Sequence, residues 1–76
     1  MQRRLDLRGL PPPQPMECIL AALATLPPGG RLFALTPMRP LPLLSMLEAD
    51  GFRWRLRDLQ GGGTALRIRH AQPAQA

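Results

Sequence analysis

The sequence predicts a two-layer α/β sandwich in the order β-α-β-α-β-β, a four-stranded mixed sheet with two helices on one face. Three observations predict it. Residues 52–59 and 64–69 alternate apolar with arginine on either side of a glycine run, the pattern of a half-exposed hairpin. Met16, Ile19, Leu20, Leu23 and Leu26 recur at helical spacing. Proline and glycine clusters punctuate the chain between these periodic stretches.

The elements follow in order. Arg4, Leu5, Asp6 and Leu7 alternate and read as a short first strand, Leu5 and Leu7 inward. Pro11, Pro12, Pro13 and Pro15 then stiffen the chain. Proline suits a first helical turn, whose N–H groups lack partners anyway, so a helix is expected to start at Pro13 to Pro15. It runs to about Leu26, where Pro27-Pro28-Gly29-Gly30 stops it. Residues 31–35 form a second strand of ambiguous phase, as expected of one buried on both sides. A second helix covers 41–50, with Leu43, Leu44 and Leu47 as its core stripe and Gly51 at its end. In the hairpin, Phe52, Trp54, Leu56, Leu66 and Ile68 face inward and Arg53, Arg55, Arg57, Arg67 and Arg69 outward. Right-handed crossovers would put both helices on one face and leave the other open.

The 76 residues allow one domain, placed at 1–70, with 71–76 as a flexible tail. A chain this short leaves little core for an enclosed cofactor cavity, and no cofactor is expected. One cysteine, Cys18, excludes an intramolecular disulfide and any multi-cysteine metal site. No metal ligands are assigned. Reduced cysteine usage points to the cytoplasm. No membrane span is expected, and Asp6 and Arg8 interrupt any signal-like apolar run after Arg3 and Arg4. The net charge of +5 comes from arginine without lysine, a choice that a GC-rich genome also produces.

Leu5-Asp6-Leu7-Arg8-Gly9-Leu10 followed by Pro13-Gln14-Pro15 resembles the signature of the TusA/SirA-like family, in which a strand and Arg-Gly precede a Cys-Pro-x-Pro helix start. Gly29 or Gly30 before the second strand also fits. The resemblance spans residues 5–69. It implies the two-layer fold and, in active members, transfer of persulfide sulfur between proteins. The carrier cysteine of that motif corresponds to Pro12 here. A thiol at a helix N-terminus is acidified by the helix dipole and unpaired N–H groups, whereas proline offers no nucleophile. The Arg-Gly-Leu-Pro-Pro-Pro segment and residues 37–44 resemble more closely an uncharacterised bacterial domain family of the same fold group.

The expected function is therefore a non-catalytic, TusA-like accessory or adaptor protein that binds a protein partner. Candidate binding residues are Arg8, Pro12, Pro13 and Pro15 at the proline loop, and Arg53, Arg55, Arg57, Arg67 and Arg69 on the open sheet face, with Arg4 alongside. One alternative is a sulfur carrier using Cys18, expected on the exposed flank of the first helix. A second is binding of an anion through the arginines, whose forks suit phosphate and carboxylate. Nucleic acid is disfavoured, because Trp54 and Phe52 fall on the core side and leave no stacking platform. The uncharged outer face of the first helix (Glu17, Ala21, Ala24, Thr25) suits a protein interface or a homodimer contact. His70 reads as a solvated tail residue, and the carboxylates show no pairing for acid/base catalysis.

Overall fold

The computed structural model describes residues 2–70. The order is β1 (Gln2–Asp6), α1 (Gln14–Ala24), β2 (Arg31–Thr36), α2 (Leu41–Ala49), β3 (Phe52–Asp58) and β4 (Thr64–His70). The strands form one sheet in the order β1-β2-β4-β3. β1 and β2 run parallel, and β4 is antiparallel to β2 and β3. This is the mixed four-stranded sheet that the element pattern predicts. The proposed tail, 71–76, lies outside the described residues.

Both helices pack on the same sheet face. Ile19, Leu23, Leu43 and Leu47 meet Leu32, Ala34, Leu66 and Ile68 in one buried cluster. Each such side chain, fully buried, contributes roughly 1.5–3 kcal/mol. On α1 the buried set is Pro15, Ile19, Ala22 and Leu23, while Met16 and Leu20 are only half-buried at the margin. The helix ends at Ala24, two residues before the expected boundary, yet Leu26 remains in the core. The chain turns there, with Thr25 and Leu26 N–H groups donating to Ala22 and Leu23. At the other end Gln14 N–H donates to the Pro11 carbonyl (2.9 Å), so the proline loop itself forms the helix entrance.

β1 begins two residues earlier than expected and stops at Asp6. Leu7 still extends the pairing, its N–H donating to the Leu35 carbonyl (2.8 Å), and its side chain is buried. β2 corrects the expectation of a strand buried on both sides. Leu32, Ala34 and Thr36 are buried against the helices, whereas Arg31 is exposed and Phe33 and Leu35 are half-buried on the opposite face. The apolar run conceals an ordinary one-sided alternation. Thr36, though buried, is satisfied: its hydroxyl donates to the Met38 carbonyl (2.8 Å).

Two glycines are fixed by packing. A Cβ on Gly30 would sit 2.8 Å from the Pro27 carbonyl and from Leu26 Cγ, so the entry to β2 admits no side chain. Gly63, at φ +90°, returns the hairpin in the left-handed region, and a Cβ there would approach the Thr36 carbonyl to 3.1 Å.

His70 is not a solvated tail residue. It ends β4, its N–H donates to the Gly30 carbonyl (3.1 Å), and its ring meets Phe52 edge-on at 4.9 Å.

Candidate anion-binding face

The sheet face away from the helices carries the arginines, and the strand register arranges them in rows. Arg31, Arg69 and Arg53 lie side by side across β2, β4 and β3. The next row is Arg4, Phe33, Arg67 and Arg55. Arg57 stands in the third, opposite Ala65. Side chains two residues apart point to the same face, and adjacent strands lie about 4.8 Å apart, so these cations crowd one surface. Gln2, Arg4, Arg31, Phe33, Arg53, Arg55, Arg57, Arg67 and Arg69 line a single shallow depression, which Glu48, Phe52 and Trp54 also line.

Acid does not balance this charge. Among the described residues the salt bridges are Arg8–Asp6 and Arg39–Asp58. Asp6 lies on the open face but is held by Arg8, whose Nε and Nη2 donate to its two oxygens at 2.9 and 2.8 Å. These hydrogen bonds lower the Asp6 carboxyl to a pKa of about 2 and raise that of the Arg8 guanidinium. Arg39 likewise holds the Asp58 carboxyl below its ordinary value through hydrogen bonds, beyond the end of the rows. The Asp6 carboxylate is thereby occupied by Arg8, which leaves Glu48 as the acid that lines the depression. Arg4 finds a different partner, its guanidinium 5.5 Å from the centre of the Phe33 ring.

The expected site residues thus divide into two groups. Arg53, Arg55, Arg57, Arg67 and Arg69 share the open face with Arg4, as the hairpin alternation implies. Arg31 and Phe33 join them unforeseen, because the phase of β2 is settled only by its register with β4. Phe33 also corrects the expectation that this face has no aromatic ring. Arg8, Pro12, Pro13 and Pro15 lie apart, around the start of α1. Pro12 and Pro13 are exposed and joined by a cis peptide bond, whereas Pro15 is buried and offers no surface to a partner. Arg8 is engaged by Asp6.

Cys18 is half-buried in α1 and packs against the core cluster rather than standing on an exposed flank. Helical phase alone misplaces it because the core stripe is broader than the leucine positions. Glu17, Ala21, Ala24 and Thr25 are exposed as expected. No cluster of three or more His, Cys, Asp or Glu side chains fit to hold a metal occurs among the described residues. No described helix is long and apolar enough to cross a membrane.

The family of uncharacterised conserved proteins called DUF2249 matches residues 4–70, nearly the whole chain. The chain belongs to that family. No curated protein sequence matches this DUF2249 domain. Its fold is that of the SirA-like group: a crystal structure of a SirA-like protein from Desulfitobacterium hafniense superposes with a TM-score of 0.80 at 23% sequence identity. The match covers 92% of this chain and 99% of that one. The expected resemblance to an uncharacterised domain family is thereby established, and the resemblance to the SirA-like group holds at the level of the fold.

Proposed function

We propose that this DUF2249 protein is a non-catalytic accessory module that docks an acidic partner protein on its open sheet face. The observation that carries the proposal is the grouping of seven arginines, Arg4, Arg31, Arg53, Arg55, Arg57, Arg67 and Arg69, on one surface. Direct neighbours within it are like-charged: Arg31 opposes Arg69, Arg69 opposes Arg53, and Arg67 opposes Arg55. Like charges directly opposite each other destabilise a sheet, and a partner bringing carboxylates relieves that cost. Guanidinium forks take carboxylates bidentately, which gives orientation as well as attraction. The absence of a nucleophile at Pro12 supports a binding role over sulfur transfer at the helix start.

The test is titration of the purified protein with polyglutamate at increasing salt. Binding should weaken steeply with ionic strength, as expected of exposed charge pairs. It should be lost in the double variant Arg55→Glu/Arg67→Glu. Both substituted positions are exposed, so the variant keeps its core. Binding that ignores both salt and the double variant removes the open face as the dock.

One observation favours a second reading. Phe33 places a ring among the arginines on a central strand, and such a ring can stack a base of single-stranded nucleic acid. A Phe33→Ala variant that loses oligonucleotide binding while keeping polyglutamate binding would favour it. A single ring provides one stacking position, so acidic protein remains the better match to a surface dominated by guanidinium groups.

A further inference from the structure

We propose that β3 is an acceptor edge, which adds a strand of the partner in which acidic and apolar residues alternate. The inference rests on the reading of the open face as a dock for an acidic protein, and it specifies how that protein is held. β3 stands at the end of the sheet and pairs with β4 alone, so one side of its backbone faces away from the sheet. Such an edge can template a further strand through main-chain hydrogen bonds, alternate side chains then setting specificity.

The two faces of β3 define those side chains. Arg53, Arg55 and Arg57 are exposed on the open face. Phe52, Trp54 and Leu56 point to the helix side and are only half-buried. The counterparts of Trp54 and Leu56 one strand inward, Ile68 and Leu66, are 1 and 0% exposed. The difference is what a missing outer neighbour leaves. An added strand would set acidic side chains against the arginines and apolar ones over the rim of Trp54 and Leu56. Complementarity on both faces fixes the register, since a slip of one residue would exchange acid for apolar on each.

The alternatives fit less well. The opposite edge, β1, spans five residues and carries the exposed Arg3 on its helix side, so it offers no comparable apolar row. A second copy pairing through β3 would bring arginine against arginine. A polyanion without an apolar alternation would cover the arginines without pairing with the β3 backbone.

Trp54 is the only tryptophan in the chain and lines the same depression as the arginines, so its signal is read together with the β3 amides, which distinguish strand addition from anion binding. The probe is a seven-residue peptide of alternating glutamate and valine, capped at both ends. A peptide of the same composition with the two residue types segregated serves as control, together with an oligothymidylate. Two quantities are read: acrylamide quenching of Trp54, and hydrogen exchange of the amides of residues 52–58. The alternating peptide should reduce quenching and slow exchange at alternate β3 amides, while the controls leave those amides unchanged. Arg55→Glu should weaken the alternating peptide about tenfold, because a favourable cross-strand charge pair becomes a repulsive one. If acidic probes bind in a salt-sensitive manner while the β3 amides are unchanged, strand addition is wrong and the open-face dock stands. If no acidic probe binds, both fall. Tighter binding of the oligothymidylate would overturn the acidic-protein occupant.

Discussion

Asp6 shows how a single residue shapes the face without belonging to its working set. It is an acid on the arginine surface, yet Arg8 takes both its oxygens. Its carboxyl should titrate near pH 2 by carbon-detected NMR, against an ordinary value of 3.8. Arg8→Ala should return it toward that value. The sign follows from linkage: a carboxyl with a lowered folded pKa stabilises the fold above its unfolded pKa. That contribution is lost as pH falls through the window from 3.8 toward 2. The pair is exposed, so its effect appears in the titration rather than as a large change in stability. A titration midpoint unchanged in Arg8→Ala would mean that another group holds the carboxylate.

At the scale of elements, burial decides which apolar positions of α1 matter. Ile19 is fully buried, whereas Leu20 is half-buried at the margin. Ile19→Ala should therefore cost about 2–5 kcal/mol by chemical denaturation, and Leu20→Ala distinctly less. Equal losses would show that the helix rotates to bury Leu20. The hairpin turn makes a separate demand. Gly63→Ala should lose about 1–3 kcal/mol, because the residue must keep a left-handed φ while its Cβ presses on the Thr36 carbonyl. A neutral result in the same denaturation assay would mean that the turn can reshape around the new methyl group.

At the scale of the whole molecule, the proposed docking role of the open face works against stability. Seven arginines on one surface repel one another whenever no acidic partner is bound. Arg67→Glu puts an acid in the second row, opposite Arg55 and diagonal to Arg53 and Arg57. The variant should melt at a higher temperature than the parent at low salt, and the gap should close in concentrated salt. The same variant should bind acidic probes more weakly. A melting temperature unchanged at low salt would show that the guanidinium groups already avoid one another by splaying into solvent. The proposed docking role thus opposes the stability of the fold, as is common where binding demands like charge.

The chain by itself determines the element order, the helix face toward the sheet and the five hairpin arginines. Periods of two and of 3.6 residues are local properties, legible wherever polar and apolar residues alternate cleanly. Residues 52–59 and 64–69 carry that contrast plainly, and so does the proline-opened first helix. The Arg-Gly and Pro-x-Pro segments carry the family in the same local way. β2 lacks the contrast, since Leu32, Phe33, Ala34 and Leu35 are all apolar. Only its pairing with β4 decides that Phe33 and Arg31 emerge on the arginine face and not under the helices. Cys18 and Pro15 are settled the same way, by tertiary packing that sets Cys18 against the core cluster and buries Pro15. The open edge at β3 follows from β4 inserting between β2 and β3, because strand order depends on contacts between segments distant in the chain.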